Sequence, residues 1–376
     1  AVLDGFESHV ELPGLEEGRH HELFVDEEGM VFVRPGQGEI GLLRLEANPP
    51  VLMRHFAERL AELRVMGGAL LPLTMSRHGI DAEGVNRLLD TAFEFPHQVD
   101  HLSLSVDGSE AAGFEVALDL RPAGGSGFDG FVAALLPNSL GAPELDADSA
   151  VIRLRGSLDR DSLEGAFRPI VEISTSLYPQ MREDAEAFDA YMEKWLEIMD
   201  GTFAMTSALG SPSRSVVGTR DVKAAGGLLA SEEYRRFSEL GLERNPELEG
   251  EVTLNAFEHR GISVSHQKAE ILSDTLAQNP LFASEQLNTY MAAAGDCIVA
   301  SMLGGTEEDV KALIDLALDG KIARSPLAHG AVLEMTVDLA SVIGRAGTTT
   351  SQDMPQEASL SVSGTGGRFR MRITVK

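Results

Sequence analysis

The stretch from Gly125 to Gly130 formally matches the G-x-G-x-x-G pattern of dinucleotide-binding loops. Such a loop needs a tight turn whose backbone approaches a pyrophosphate at a helix N-terminus. The preceding strand alternates apolar residues with Glu115, Asp119 and Arg121, whereas a strand that serves this chemistry is buried on both faces. Residues 121–124 also separate the strand from the motif too far for a tight turn. We therefore predict a loop that leads into a short helix, and no cofactor.

Two groups of side chains could ligate a metal. His20 and His21 stand beside several acids, but neighbouring residues on an extended chain point to opposite sides and cannot readily share one ion. Glu144, Asp146 and Asp148 alternate as oxygen ligands do in calcium loops, yet the central glycine and the distal glutamate of an EF-hand are not in place. Surface clusters are the favoured interpretation, and weak calcium binding stays open.

Nucleophilic and acid–base chemistry finds little support. Cys297 is the single cysteine and starts an apolar run without a neighbouring histidine, which is typical of a buried, unreactive thiol. His259 lies at a predicted turn and His266 on the next strand, but nothing nearby in sequence supplies a nucleophile or an electrophile for either. None of the hydrolase, metalloprotease, thiol-redox or P-loop signatures occurs. The sequence favours a protein that is not an enzyme, while a hydrolase with a carboxylate pair from distant segments remains an alternative.

The most distinctive apolar pattern lies in residues 184–200. Large aromatic and methionine side chains recur there at helical spacing and form one stripe. A stripe of this kind usually packs in the core, but flexible methionines also suit an adaptable groove for an apolar ligand. The candidate ligand-binding residues are Phe188, Met192, Trp195 and Met199.

The elements around this helix are mostly hairpins. Strands are predicted on both sides of the turns at residues 210–212 and 258–261, and apolar and polar residues alternate over 369–375 at the C-terminus. Thr306 followed by three acids predicts the start of a helix that ends at Gly320. This order favours an α+β fold, with antiparallel β-hairpin-rich sheets and inserted helices.

One unit is repeated. Residues 103–109 and 359–365 are identical at five of seven positions, and an alternating strand follows each. Upstream of the first lie a strand-like run, 71–75, and a helix opened by Asp81; upstream of the second lie a strand, 333–337, and Asp338. The repeat predicts two related lobes.

The lobe boundary falls in the connector 137–148, which is rich in turn residues and acids. We predict an N-terminal α+β lobe over 1–140 and a C-terminal α+β lobe over 149–376. A helix-rich insertion occupies about 159–240 of the second lobe.

Charge limits the partners. The chain has 59 acidic and 31 basic residues, a net charge of −28, so we expect no binding to nucleic acid or to anionic membranes. No run of eighteen apolar residues is present, so no membrane-spanning segment is expected.

The hypothesis that these features favour is a non-catalytic binding or structural and assembly protein. The acidic surface and the first residue, Ala1, favour an extracytoplasmic setting, whether periplasmic, cell-surface or secreted. Its partner would be another protein or a second copy paired through edge strands. The alternatives are a carrier of a lipid or other apolar small molecule, and the carboxylate hydrolase.

Overall fold

The computed structural model describes residues 80–376 except 110–112, 146–149, 209–211, 244, 246, 273–285 and 342–355. Before residue 80 it describes 21–25, 31–35, 41–47, 49–50, 61, 64–68, 71 and 75. Among these residues, no helix is both long and apolar enough to cross a membrane.

Strands and helices are interspersed along the described chain. The strands are β1 His21–Val25, β2 Val31–Pro35, β3 Gly41–Ala47, β4 Val99–Ser109, β5 Gly113–Pro122, β6 Ala142–Pro143, β7 Ile152–Ser157, β8 Met199–Ser207, β9 Ser213–Thr219, β10 Leu248–His259, β11 Ile262–Ile271, β12 Gln286–Ala294, β13 Cys297–Met302, β14 Arg324–Ser325, β15 Leu333–Asp338, β16 Glu357–Ser363 and β17 Phe369–Val375. From residue 80 onwards, the α-helices with described bounds are α1 Ala82–Glu94, α2 Gly127–Ala133, α3 Leu163–Leu177, α4 Pro179–Glu183, α5 Ala185–Ile198, α6 Val222–Leu229, α7 Glu232–Glu243 and α8 Glu307–Leu318.

Fifteen of these strands form one sheet, in the order β10-β11-β12-β13-β9-β8-β7-β15-β16-β17-β5-β4-β3-β1-β2. Of its strand pairs, β1 with β3 is parallel and the remainder are antiparallel. Strands β6 and β14 form a separate pair. The predicted α+β class with a large antiparallel sheet is confirmed.

The two predicted repeat hairpins, β4–β5 and β16–β17, lie side by side in this sheet. Their second strands pair with each other, with Val116 opposite Ile373 and Leu118 opposite Met371. Each first strand has a further antiparallel neighbour, β3 beside β4 and β15 beside β16. The long-range ladder between β5 and β17 therefore joins segments about 250 residues apart in sequence.

One predicted strand of the repeat is wrong. Leu71 and Met75 are helical, and the residues between them lie outside the described part of the chain. A short apolar run cannot be distinguished from a buried helix by periodicity alone. Strand β3 instead pairs with β4, as β15 pairs with β16.

Helices cover both faces of the sheet at its β10–β13 end. Helix α8 starts at the predicted cap, where the Thr306 hydroxyl accepts a hydrogen bond from the Asp309 N–H at 3.1 Å. It buries Val310, Leu313 and Ile314 against β12 and β13. On the other face, α6 and α7 pack on β12 and β10, and α5 packs on both helices.

The G-x-G-x-x-G stretch folds as predicted, into a loop followed by a short helix. The Ser126 hydroxyl caps α2 by accepting a hydrogen bond from the Asp129 N–H at 3.1 Å. The Asp129 carboxylate turns back and accepts from the Gly125 N–H at 2.9 Å, so a carboxylate already occupies this loop. Phe128 and Val132 bury α2 against β4 and β5. The local role of the motif is structural.

Candidate functional site

A concave apolar groove lies between α5, α7 and the strands β11 and β12. Its cavity volume is about 590 Å³. The lining residues are Met181, Phe188, Tyr191, Met192, Trp195, Tyr234, Phe237, Ser238, Gly241, Leu242, Leu248, Gln267, Ala269, Leu287, Thr289, Met291 and Leu303. We call this cavity the apolar groove.

Three of the four residues predicted to bind a ligand line this groove. Phe188, Met192 and Trp195 recur on one face of α5, because residues three, four and seven apart share a helix face. Met199 does not join them, since the helix ends at Ile198 and Met199 begins β8. Its side chain is buried with Leu163 in a separate core cluster.

The second wall of the groove is α7, which the sequence interpretation did not assign to a site. Tyr234, Phe237 and Gly241 follow one another at intervals of three and four along its inner face. The Phe237 ring stacks on Tyr191 of α5 with centroids 4.1 Å apart. The same periodicity used for α5 identifies this wall in the sequence, but periodicity does not show that the two helices face each other.

The floor comes from alternate residues of two paired strands. Gln267 and Ala269 of β11 lie opposite Thr289 and Leu287 of β12. Because side chains alternate across a strand, these four point to one face of the sheet. Gln267 and Thr289 put the floor's amide and hydroxyl groups next to each other.

Ion pairs on the outer side join the two helical walls. The Lys194 ammonium of α5 donates a hydrogen bond to the Glu233 carboxylate of α7 at 2.7 Å. This contact, with hydrogen bonds from its own backbone and from Ser231, lowers the pKa of Glu233 to about 2. Arg236 of α7 likewise donates through Nε to the Asp184 carboxylate, directly before α5, at 3.0 Å. These pairs link the two walls on the solvent side of the groove.

Burial keeps the two tyrosines of the groove in their neutral form. Tyr191 and Tyr234 are 3% and 2% exposed, and this burial raises the pKa of both phenols. The Tyr234 hydroxyl lies 3.4 Å from the Met291 sulfur. Both rings are therefore neutral apolar walls at physiological pH and carry no charge into the groove.

The predicted buried thiol is confirmed. Cys297 is fully buried, and burial followed by a hydrogen bond to Asp296 raises its pKa to about 12. Nearby, the Arg324 guanidinium donates to the Asp200 carboxylate at 2.9 Å and to the Thr202 hydroxyl at 2.7 Å. A thiol held in this protonated state is a poor nucleophile.

Carboxylate chemistry gains no support from the described residues. A carboxyl group that donates a proton near neutral pH needs a raised pKa. Each described carboxylate with a shifted pKa has a lowered one: Asp81, Glu233, Asp315, Asp319 and Asp338. For Asp315 the main cause is Arg260, followed by His259, so the predicted turn at 258–261 anchors to α8.

A second cavity, of about 410 Å³, separates α3 from α5. It is lined mainly by charged side chains, and two of its ion pairs, Arg168 with Glu164 and Arg160 with Asp161, are already formed at 2.6 and 3.2 Å. Exposed pairs of this kind contribute little stability. The cavity is a solvated cleft between two helices.

Most of the residues of the two predicted metal clusters lie outside the described part of the chain. His20, Asp146 and Asp148 lie outside the described residues, as does the His21 side chain. Among the residues that are described, no group of three or more histidine, cysteine, aspartate or glutamate side chains could hold a metal ion. Glu144 instead accepts a hydrogen bond from the Ser325 hydroxyl.

The apolar groove is thus the cavity where a helix stripe noticed in the sequence, a second helix and a strand pair converge. The chain matches no protein-family model, no curated protein and no solved structure, so no known protein indicates what the groove binds.

Proposed function

We propose that this chain is a non-catalytic binding protein that carries an apolar small molecule in the apolar groove. The observation that carries the proposal is the groove itself: about 590 Å³, concave, and lined in the described residues by uncharged, mostly aromatic and aliphatic side chains. Ligand sites in proteins are typically apolar concavities of 300–1,000 Å³ with a few polar groups.

The pattern of burial within the groove supports a ligand rather than core packing alone. Phe188 and Tyr191 are almost fully buried and belong to the packed interior. Met192, Trp195 and Met291 are only partly buried, although each is large and apolar. Contiguous apolar surface left open in a concavity marks a binding site more often than a scattered surface residue does. Met192 on the α5 wall and Met291 on the floor would let the groove adapt to its occupant.

The first experiment is native mass spectrometry of gently purified protein, combined with titration of N-phenyl-1-naphthylamine, a neutral apolar dye. Trp195 is the single tryptophan of the chain and lines the groove. A bound dye should therefore accept excitation energy from it. The expected result is a stoichiometric extra mass or saturable energy transfer from Trp195. A bare mass together with no transfer would overturn the proposal.

We also propose the extracytoplasmic setting, on the strength of the acidic surface with its net charge of −28. Carboxylates keep an exposed surface hydrated and soluble. Fractionation of the source cells with an antibody against the full chain tests this: the protein should appear outside the cytoplasmic fraction, and its recovery with cytoplasmic markers would contradict the proposal.

We further propose that residues 1–140 and 149–376 are two related lobes. The support is the side-by-side position of β4–β5 and β16–β17, each beside one further antiparallel strand. The groove belongs wholly to the second segment. Residues 149–376 expressed alone should unfold cooperatively; a chain without cooperative unfolding would contradict an independent lobe.

A further inference from the structure

The floor of the apolar groove carries two polar side chains that have no hydrogen-bond partner among the described residues. Gln267 and Thr289 lie directly opposite each other on β11 and β12, and both are half-buried. Within the described part of the chain, the side chain of neither makes a hydrogen bond. Directly opposed residues on antiparallel strands bring their Cβ atoms to about 5 Å, so the amide and the hydroxyl can address one and the same ligand atom group.

Unpartnered polar groups in an apolar concavity select the ligand. Binding free energy is lost when an apolar molecule covers a half-buried amide or hydroxyl, because the group gives up its hydrogen bonds to water and gains none in return. A ligand that offers a hydroxyl or carbonyl at this point restores them. A site built to bond such a group therefore rejects analogues that lack it.

Charge decides which polar group fits. All described residues that line the groove are uncharged, so no cation is present there to pair with a carboxylate or phosphate. The chain as a whole has a net charge of −28, which repels anions further. Burying an ionised group without a partner is costly.

We infer that the groove takes an uncharged apolar molecule that carries a hydroxyl or carbonyl group, as in a fatty alcohol, a neutral ester or an amide, with this group bound between Gln267 and Thr289. The inference rests on the proposed binding function and adds the ligand class. Gln267 both donates and accepts, and so does the Thr289 hydroxyl, so the pair recognises either an alcohol or a carbonyl.

The test uses the full chain and displacement of N-phenyl-1-naphthylamine by four ten-carbon probes. Decan-1-ol and decanamide are neutral and polar, decyl chloride has no strong hydrogen-bonding group, and decanoate is an anion. Decanol and decanamide should displace the dye at about five-fold lower concentration than decyl chloride, since one net hydrogen bond contributes about 1 kcal/mol. Decanoate should be weaker than decanol by roughly ten-fold or more.

The double variant Gln267→Leu/Thr289→Val supplies the matched control. It keeps the shape of the floor, so it should bind the dye as the unmodified chain does. Decanol and decyl chloride, however, should displace the dye from it at equal concentrations. Dye binding by the variant shows that the groove is intact. Thr289→Val alone, the more conservative change, should lose part of the preference.

The outcomes separate the two claims. If the dye does not bind the unmodified chain and native mass spectrometry shows a bare mass, the proposed function fails. If the dye binds but the neutral polar probes have no advantage, or decanoate displaces it best, the binding function stands and the ligand class is wrong. A preference that survives the double variant would likewise overturn the assignment to Gln267 and Thr289.

Discussion

Filling the apolar groove from within should weaken binding without harming the fold. Gly241 lies on the inner face of α7, and a Cβ built there would meet no atom within 4 Å. The substitution Gly241→Leu therefore places an apolar side chain in open groove space without a clash at its first carbon. It also replaces a glycine inside a helix, where glycine is unfavourable.

The expected changes in stability and in ligand affinity have opposite signs, which makes the variant informative. Helix propensity favours leucine over glycine by about 0.8 kcal/mol, so the melting temperature should stay level or rise by about 2 °C. A ligand excluded from the space of one leucine loses contact worth about 2 kcal/mol, which corresponds to roughly 30-fold weaker binding. Stability and affinity should thus move in opposite directions.

Energy transfer from Trp195 to the dye measures the affinity, and thermal unfolding followed by circular dichroism measures the stability. Gly227→Leu is the matched control, because Gly227 also lies in a helix, α6, and also has open space at its Cβ. It does not line the groove. The control should gain the same stability and bind the dye normally. Equal dye affinity in the two variants would refute the assignment of binding to this groove.

Three further predictions concern stability and reactivity. Gly218→Ala would put a Cβ 2.3 Å from the buried Asp200 carboxylate, so we expect a loss of about 3 kcal/mol and a clearly lower melting temperature; an unchanged melting temperature would contradict this packing. Cys297, with its pKa raised from 9.0 to about 12, should react with Ellman's reagent at pH 8 about 1,000-fold more slowly than a free thiol until the protein is denatured, and rapid native labelling would show that it is accessible. Because the pKa of Glu233 is lowered from 4.5 to about 2, its ion pair with Lys194 stabilises the fold above about pH 4.5, and this contribution decreases as the pH falls towards 2; the difference in melting temperature between the unmodified chain and Lys194→Met should therefore be larger at pH 6 than at pH 2.

Local patterns in the sequence predicted the local structure well. Hairpins β8–β9, β10–β11 and β16–β17 occur where alternation and turn residues placed them. The cap at Thr306 and the positive φ of Gly320, 65°, fix the two ends of α8 as expected. These features depend on neighbouring residues alone, so a single sequence contains the information.

Met199 shows where local reasoning stops. It stands four residues after Trp195, and helical spacing alone puts it on the same stripe. In the structure its backbone is extended, with φ −68° and ψ 145°, because the chain turns into β8 at this point. Pairing of β8 with β7 and β9 decides that turn, and these partners are distant in sequence from the helix. Tertiary pairing overrides helical periodicity here.

The groove as a whole could not be predicted from the sequence, for the same reason. Its α5 wall was visible as a stripe, but its floor exists because β11 pairs with β12 in one particular register. A shift of one strand by one residue would put Gln267 and Thr289 on opposite faces of the sheet. The register depends on the packing of the whole sheet, and periodicity within either strand does not reveal it.

The free edge of the sheet bears on the alternative hypothesis of self-assembly. Among the described strands, β10 is the outermost on the side of the groove. A second copy paired antiparallel along its full length would place Glu249 opposite Glu258, and like charges directly opposed destabilise a strand pair. The strand also carries a bulge, with Asn255 at φ 52°, and a bulge twists an edge away from further pairing. Both features protect β10 against pairing with itself. Assembly of this protein would therefore need another surface, whereas Leu248 of the same strand already lines the apolar groove, so this end of the sheet suits ligand binding better than self-association.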